Sequence, residues 1–252
     1  MIEKLLPSMS SNFKNILKRI VRLPTSAQEI SEFSQEFRQI SFAQSGEDLI
    51  IDYIFKLRGI SHPSYIDIGA NHPFYLSNTA HFYLKGCRGI NIEANPNLII
   101  NFSKFRDEDI NLNCGVGIRE EELDFFIISD STLSTFSQSE AETVTRTGKY
   151  SVVEKKKIKT YTIEHLLKTY CQYNLPDFLS IDVEGFDLEI IKTLDFDFYR
   201  PKVICVESHN YSPIGAGNKR EDLIDYILSK NYHEYADTGL NSILVEKKFW
   251  FV

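Results

Sequence analysis

The chain has 252 residues, of which 42% are hydrophobic and 25% are charged, and its formal net charge is −7 at pH 7. This composition is typical of a folded globular protein and excludes disordered, collagen-like and coiled-coil chains, while the negative charge argues against nucleic-acid binding through bulk charge. The cysteines are scattered without a CxxC pair and no apolar leader is found, which predicts a cytoplasmic protein. No apolar run is long enough to predict a transmembrane segment.

Residues 1–40 are predicted to form a helical extension in front of one larger domain at 41–252. Apolar side chains recur at helical spacing from Phe13 to Val21, and lysines and arginines flank them. Pro24 ends this helix, and a second helix is predicted to follow it. A basic amphipathic helix can lie on an anionic membrane surface. Packing against its own domain, a partner or a second copy of the chain is the commoner use of such a helix.

From Ser41 onward, short apolar strands alternate with helices. Strands are predicted at 64–68, 89–93, 110–116, 123–128, 155–161, 178–183, 202–207, 232–236 and 242–245. Helices are predicted at 77–85, 96–105, 163–170, 186–194 and 220–230. A further helix is predicted to start at Ser45, with Asp48 completing an acidic variant of the capping box.

This alternation implies right-handed crossovers and a mostly parallel sheet that is covered by helices on both faces. The last two strands are joined by a short turn at 237–241, so they are predicted to pair antiparallel. The chain therefore belongs to the α/β class, with a parallel sheet that ends in an antiparallel hairpin.

Polar side chains follow each strand of the predicted parallel sheet. Ligands of open parallel sheets bind beyond the carboxyl ends of the strands, so these residues are the candidates for function. In chain order they are Asp67, Gly69 and Asn71, then Glu93, then Asn113 and Cys114, then Asp182 and Glu184, and last Glu207, Ser208 and His209.

The first two of these strand ends predict a nucleoside cofactor. Gly69 allows a ligand to approach the main chain, the next helix directs its first N–H groups to the same place, and Glu93 can accept both hydroxyl hydrogens of a ribose. A plain turn glycine and a surface carboxylate would be the alternative. A dinucleotide site requires glycines where Asn71 and Phe74 stand, which argues against a nicotinamide-dependent oxidoreductase. Asp67 would repel phosphates but can pair with an ammonium group, so S-adenosylmethionine fits better.

Five segments of the chain resemble the FkbM family of S-adenosylmethionine-dependent methyltransferases. They are residues 41–48, 65–71, 91–96, 179–185 and 203–207, and the Asp-Val-Glu-Gly run at 182–185 is the most specific of them. The resemblance covers the chain from Ser41 to Glu246. It implies a Rossmann-like seven-stranded sheet of order 3-2-1-4-5-7-6 with the last strand antiparallel, and O-methylation, most often of a sugar hydroxyl in glycan, capsule or polyketide biosynthesis. Pro73 stands where the family usually has a second glycine, which can reshape the turn.

The resemblance and the strand ends together give a predicted cofactor site. The resemblance suggests that Gln44 borders the cofactor, and Ser77 or Thr79 can bind the methionine carboxylate or simply cap the following helix. The predicted cofactor-binding residues are Gln44, Asp67, Gly69, Asn71, Ser77, Thr79, Glu93, Asn113, Cys114 and Asp182.

Methyl transfer to a hydroxyl requires a group that removes the hydroxyl proton as the oxygen attacks. His209 is predicted to be this base, with Asp182 and Glu207 on neighbouring strand ends assisting it. These groups would repel one another unless one carboxyl holds a proton or a divalent cation lies among them. Asp182, Glu207 and His209 are therefore also a candidate site for Mg²⁺ or Mn²⁺. Pairing of Glu207 with Lys219 or Arg220 would be a purely structural alternative.

The acceptor is predicted to be a carbohydrate or a nucleotide-activated sugar. The long segments 129–150 and 210–218 are interpreted as lids over its site. Lysines at 149 and 155–157 could bind a phosphate of the acceptor, although a solvated strand face explains them more simply. The alternative function is a non-catalytic, cofactor-binding scaffold that the N-terminal helices recruit to membrane-associated glycan assembly.

Overall fold

The computed structural model describes residues 34, 35, 37–146, 148–171, 175–183, 185–209 and 217–251. Contacts within the chain divide it after Ile40. The helix predicted before Pro24 and most of the helix predicted after it lie outside the described residues, so the division into a helical extension and one domain stays a prediction. Within the described part of the chain, no helix is long and apolar enough to cross a membrane.

The described residues from Ser41 onward contain ten strands and eight α-helices. The strands are β1 (Tyr65–Ile68), β2 (Gly89–Ile92), β3 (Ile110–Leu112), β4 (Gly115–Val116), β5 (Glu121–Ile128), β6 (Val152–Tyr161), β7 (Phe178–Ile181), β8 (Val203–Glu207), β9 (Tyr232–Asp237) and β10 (Asn241–Glu246). The helices are α1 (Glu47–Leu57), α2 (Ala80–Leu84), α3 (Pro96–Phe105), α4 (Gln138–Thr145), α5 (Ile163–Tyr170), α6 (Asp187–Lys192), α7 (Glu221–Ser229) and α8 (Lys247–Trp250).

Seven strands form one sheet in the order β3-β2-β1-β7-β8-β10-β9. Counted along this sheet alone, the order is 3-2-1-4-5-7-6, so the predicted α/β architecture is confirmed. All neighbours pair parallel except β10, which runs antiparallel to β8 and to β9. Ile68, Ile92 and Ile181 lie side by side at the carboxyl ends of β1, β2 and β7. The polar residues that follow these strands therefore begin at one common edge of the sheet.

The sheet is buried on both faces because its strands are largely apolar. On one face, Ile66, Leu179 and Ile204 pack with the apolar sides of α5, α6 and α7. On the other face, Phe178 and Ile243 pack with α1 and α2. Each fully buried aliphatic or aromatic side chain contributes about 1.5–3 kcal/mol to stability. The resulting core holds the strand ends in fixed positions.

A second sheet of three strands, in the order β4-β6-β5, follows β3 in the chain and was not part of the sequence-based prediction. The predicted strand at 110–116 is divided into β3 and β4 at Asn113, whose side chain donates to the carbonyl oxygens of Glu93 and Ala94 (2.9 and 3.0 Å). The predicted lid segment 129–150 contains α4, which Ser137 caps. The second sheet therefore lies beside the edge of the main sheet at which the parallel strands end.

Candidate active site

The turn after β1 is held against the end of β2. The N–H groups of Gly69 and Ala70 both donate to the carbonyl oxygen of Ile92 (2.9 and 3.1 Å). Gly69 has a φ of +81°, and a Cβ atom there would lie 1.8 Å from the carbonyl oxygen of Asp182. Only glycine fits, because the turn approaches the main chain beyond β7. Asn71 continues the turn with a φ of 53°, a conformation that asparagine tolerates better than most residues.

Glu93 fastens this turn to the next one. Its two carboxylate oxygens accept the N–H groups of Asn71 (2.8 Å) and Asn95 (2.6 Å). Burial raises the pKa of Glu93 to about 7, and Asp67 adds to the rise while the two N–H donors oppose it. Each carboxylate oxygen still has a second lone pair. Glu93 can therefore hold the main chain in place and accept hydroxyl hydrogens from a ligand at the same time.

The strand ends open into a cavity of about 740 Å³, a volume in the range of small-molecule sites. Both sheets line it, with Leu123 and Phe125 contributed by β5. The predicted site residues that line it are Gln44, Gly69, Asn71, Glu93, Cys114, Asp182, Glu207 and His209. Asn113 is directed to the carbonyl oxygens at the end of β2 instead. Most of the predicted cofactor and catalytic residues are thus brought to a single cavity.

Asp67, Ser77 and Thr79 lie behind the cavity wall. Asp67 accepts the hydroxyl hydrogen of Thr79 (2.7 Å), and Thr79 in turn accepts a hydrogen bond from the buried Arg106 (3.1 Å). The Ser77 hydroxyl oxygen accepts the N–H of Ala80 (3.1 Å) at the start of α2. The geometry favours a supporting role for these three residues over direct contact with a cofactor, because their hydrogen bonds are used to hold the segment between β1 and α2.

The segment before α1 lines the cavity through Gln44 and Ser45. Asp48 folds this segment back by accepting the N–H of Phe42 (2.7 Å). The predicted capping box of Ser45 and Asp48 is wrong, because α1 begins after Gly46, which makes no side-chain cap. The carboxylate of Asp48 joins the segment before α1 to the first turn of the helix, because it also accepts the N–H of Leu49 (2.9 Å).

The turn between β9 and β10 lines the cavity from Thr238 to Asn241. Asn241 lies opposite Glu207 in the antiparallel pair of β8 and β10, which brings the turn to the carboxyl end of β8. Glu47 of α1 accepts hydrogen bonds from the Thr238 hydroxyl (2.8 Å) and the Asn241 amide (2.9 Å). Sequence analysis missed this wall, although the predicted antiparallel direction of the last strand was a sufficient signal for it.

Asp182 lies directly after β7 among other carboxyl groups. Part of its surface is exposed to the cavity, but the surrounding protein removes most of its hydration. This desolvation, together with the charges of Asp187, Asp67 and Glu93, raises the pKa of Asp182 to about 7. Asp187 itself is paired with Arg220 (2.9 Å). A positively charged ligand in the cavity would favour the ionised form of Asp182 and would be bound more tightly by it.

His209 lies just beyond β8 with both ring nitrogens near polar groups. Nδ1 is 3.1 Å from the hydroxyl oxygen of Ser208, and Nε2 is 3.8 Å from a carboxylate oxygen of Asp237. When Nδ1–H donates to Ser208, Nε2 keeps a lone pair that can accept a proton. Burial opposes the ionisation of Asp237, but hydrogen bonds from Lys219 and the Gly239 N–H outweigh it and lower its pKa. The ionised Asp237, which sequence analysis missed, stabilises the charge that a protonated imidazole carries.

The predicted Mg²⁺ or Mn²⁺ site is not formed. Among the described residues, no group of three or more histidine, cysteine, aspartate and glutamate side chains could hold a metal ion. Asp182, Glu207 and His209 all line the cavity, but they do not come together as a set of ligands. His209 is directed instead to Ser208 and Asp237. The sequence-based assignment of a metal to these three residues is corrected accordingly.

The sheet order and the cavity at its carboxyl edge define a Rossmann-like methyltransferase fold. The methyltransferase FkbM domain matches residues 67–234, more than half of the chain, and the chain belongs to this family. It is an S-adenosylmethionine-dependent methyltransferase.

Solved methyltransferase structures are similar to this chain at low sequence identity. A provisionally assigned caffeoyl-CoA O-methyltransferase from Staphylococcus aureus has 12% identity over 94% of this chain and 100% of that chain, with a TM-score of 0.44. An O-methyltransferase from Bacillus cereus, in complex with S-adenosylhomocysteine, has 12% identity over 96% and 93% and a TM-score of 0.38. The 1,6-didemethyltoxoflavin-N1-methyltransferase of Burkholderia thailandensis has 10% identity over 95% and 90% and a TM-score of 0.38. No curated protein matches the chain.

Proposed function

We propose that this protein transfers the methyl group of S-adenosylmethionine to a hydroxyl group of a sugar-containing acceptor. The observation that carries the proposal is the shared cavity, which is lined by Gly69 and Glu93 and also by the candidate base His209. A cofactor and an acceptor hydroxyl can therefore meet in one volume, where their alignment replaces a chance encounter in water. No contact among the described residues favours the alternative of a non-catalytic scaffold.

The cavity residues fit the cofactor. Glu93 has spare acceptor capacity for the two ribose hydroxyls, and Asn71 and Cys114 line the wall beside it. Asp182 can face the positive charge of the sulfonium, and Gln44 can form hydrogen bonds with the methionine portion of the molecule through its amide. When bound, S-adenosylmethionine supplies an electrophilic methyl group on a sulfonium.

In this proposal His209 removes the acceptor proton at Nε2. Ser208 orients the ring through Nδ1, and Asp237 stabilises the imidazolium that results. Glu207 lines the same part of the wall and can accept a hydrogen bond from another hydroxyl of the acceptor. These residues activate and orient the oxygen while the cavity limits the access of water.

Replacing His209 with asparagine is expected to lower kcat by about 100-fold or more, because general-base catalysis is lost. The Kd of S-adenosylhomocysteine, measured by calorimetry, should stay unchanged. The exposed His62, whose ring hydrogen bonds with its neighbour Ser61 (2.9 Å), does not line the cavity and supplies the control His62→Asn, for which full turnover is expected. If the His209→Asn variant kept the kcat of the wild-type protein, His209 would not be the general base.

The acceptor class is tested by measuring S-adenosylhomocysteine release over a panel of glycosides, oligosaccharides and sugar derivatives, with aromatic and aliphatic alcohols as the comparison set. Methyl transfer confined to sugar hydroxyls is the expected result. A protein that binds S-adenosylhomocysteine but methylates only the non-sugar alcohols would contradict the proposed acceptor.

The affinity for S-adenosylmethionine is expected to rise with pH more steeply than the affinity for S-adenosylhomocysteine. Burial raises the pKa of both Asp182 and Glu93 to about 7, and the charge of Glu93 adds to the rise at Asp182. The ionised forms of the two groups therefore gain population as the pH rises through neutrality. Only S-adenosylmethionine carries the sulfonium charge that an ionised Asp182 attracts. The ratio of the two affinities should therefore increase by about tenfold between pH 6 and pH 8, which corresponds to one additional ionised group.

Calorimetry of both ligands at pH 6, 7 and 8 measures this ratio. The variant Asp182→Asn should give a ratio that does not change with pH. A constant ratio in the wild-type protein would show that Asp182 does not face the sulfonium.

The predicted lids, the predicted location and the predicted association of the chain are also part of this proposal. Residues 131–136 line the cavity, which supports a lid role for the segment 129–150, while the second predicted lid falls mainly on residues 210–216, outside the described residues. The cytoplasmic location and association through residues 1–40 stay predictions.

A further inference from the structure

The cavity wall carries acidic side chains and, among the described residues, no lysine or arginine. The acids are Glu93, Glu121, Asp182, Glu189 and Glu207. The short stretches between residues 147 and 216 that lie outside the described residues contain no lysine or arginine in the sequence either. An anionic acceptor would therefore face several carboxyl groups without a basic partner from the described wall.

Three basic side chains close to the wall in the sequence are already paired with acids. The pairs are Arg119 with Glu121 (2.8 Å), Lys219 with Glu234 and Asp237 (2.5 and 2.8 Å), and Arg220 with Asp187 (2.9 Å). A phosphate group could recruit one of these cations only by breaking an existing ion pair. Such an exchange leaves a carboxylate without its counter-ion, so it offers little net attraction.

Several main-chain N–H groups near helices α1, α2 and α6, which could otherwise bind a phosphate group, are bonded to side chains of the chain itself. Glu47 accepts the N–H of Ser45 (2.8 Å) just before α1, and Asp48 accepts the N–H of Leu49 (2.9 Å) in its first turn. Asp187 accepts the N–H of Val183 (3.3 Å) before α6, and Ser77 accepts the N–H of Ala80 (3.1 Å), the first residue of α2. These N–H groups are therefore not available to an anion.

Thr160 near the end of β6 lines the cavity, but the lysines of this strand do not. Its ion pairs are Lys155 and Lys157 with Asp124 (both 2.8 Å) and Lys156 with Glu154 (3.2 Å). Lys155 and Lys157 share one carboxylate on the sheet face opposite to Phe125, whereas Lys156 lies on the same face as Phe125 and is paired with Glu154. None of these lysines lines the cavity, so they do not supply a phosphate site for the acceptor.

What the wall does offer suits an uncharged sugar. Phe125 and Phe136 pack with their ring centroids 4.7 Å apart and give the cavity an aromatic side. Hydroxyl groups are supplied by Ser131, Thr132, Ser134, Thr135 and Thr160. Aromatic faces and hydroxyl or carboxylate oxygens match the apolar face and the hydroxyl groups of a neutral sugar ring.

We propose that the acceptor is a sugar without phosphate or carboxylate groups, so that a finished glycoside, rather than a nucleotide-activated sugar, is methylated. This inference rests on the proposed function and narrows its acceptor. A glycosyl transfer must then supply the substrate, because the activating diphosphate has to leave before the sugar can enter the cavity.

The test uses inorganic pyrophosphate and uridine diphosphate as probes on the full chain saturated with S-adenosylhomocysteine. Calorimetry and the shift in Tm are expected to show no saturable binding of either probe to the wild-type protein. The variant Glu189→Lys places one cation on the wall and should bind pyrophosphate. Glu164→Lys makes the same charge change on α5, outside the cavity wall, and should not.

Saturable binding of either probe to the wild-type cavity would overturn the inference, and so would an equal response of the two lysine variants. Matched acceptors complete the test: one sugar is offered as its methyl glycoside, its 1-phosphate and its nucleoside diphosphate derivative. The glycoside should have a kcat/KM at least tenfold higher than either phosphorylated form. Absence of transfer to every sugar would count against the proposed function, whereas preference for the phosphorylated forms would count against this inference alone.

Discussion

Replacing Gly69 with alanine is expected to abolish binding of S-adenosylhomocysteine and to lower the free energy of unfolding by about 4 kcal/mol or more. A Cβ atom at this position would lie 1.8 Å from the main-chain oxygen of Asp182, and the residue has a φ of +81°. Main-chain atoms cannot move aside as a flexible side chain can. The turn or the segment after β7 would have to shift, and both form the wall of the cavity.

Gly59 is the matched control for this substitution. Its φ is +72°, but no atom lies within 4 Å of a Cβ built there. Gly59→Ala therefore adds only the strain of a left-handed backbone, about 1–2 kcal/mol, and should leave cofactor binding intact. Denaturant unfolding and calorimetry of the two variants give the comparison. If Gly69→Ala were as stable as Gly59→Ala and still bound the ligand, the close approach at Gly69 would not exist.

Glu93→Gln is expected to weaken the binding of S-adenosylhomocysteine by tenfold or more. A hydrogen bond to a charged group contributes about 1.5–3 kcal/mol, and the substitution removes the charge that we propose accepts the ribose hydroxyls. The amide also presents one NH₂ group to the N–H of Asn71 or Asn95, where both carboxylate oxygens accept hydrogen bonds in the native protein. Calorimetry measures the loss of affinity, and the Tm reports the cost to the turn.

Glu121→Gln provides the control for Glu93→Gln, because Glu121 lines the same cavity but binds the exposed Arg119. The effect of Glu121→Gln on affinity should be small.

A ligand analogue without the ribose 2′-hydroxyl separates the two roles of Glu93. The wild-type protein should bind the analogue more weakly than S-adenosylhomocysteine, whereas Glu93→Gln should bind the two ligands with similar affinity. Equal losses in both proteins would leave Glu93 as a support for the turn and not as a ribose ligand.

The parts of the site that could be predicted from the sequence are those that follow from parallel strands. Strands β1, β2, β7 and β8 end at one edge, so Gly69, Glu93, Asp182 and His209 were expected together and do line one cavity. A residue that is close to a strand end in the sequence does not always direct its side chain into the cavity. Thr79 lies close to the turn in the chain, yet it faces the protein interior because it joins Asp67 to Arg106.

Two capping patterns also show that sequence spacing alone does not reveal which contact a side chain makes. Ser45 with Asp48 and Ser137 with Glu140 have the same spacing, but only Ser137 caps its helix by accepting the N–H of Glu140 (3.2 Å). At the first place, Asp48 is drawn to the segment before α1 by the N–H of Phe42, a competing contact that the spacing alone does not reveal. The helix at the second place was missed because the segment is polar and rich in residues with a weak preference for helix.

The contact of Glu47 with Thr238 and Asn241 joins positions separated by 191 and 194 residues. During synthesis on the ribosome, the glutamate emerges long before its two partners exist. A nascent polypeptide that has completed the first βα units still lacks the final hairpin beside the emerging pocket. Competence to bind the cofactor should therefore be acquired only after residues 238–241 have been synthesised, and a chain truncated before residue 238, which also lacks strand β10, should not bind S-adenosylhomocysteine.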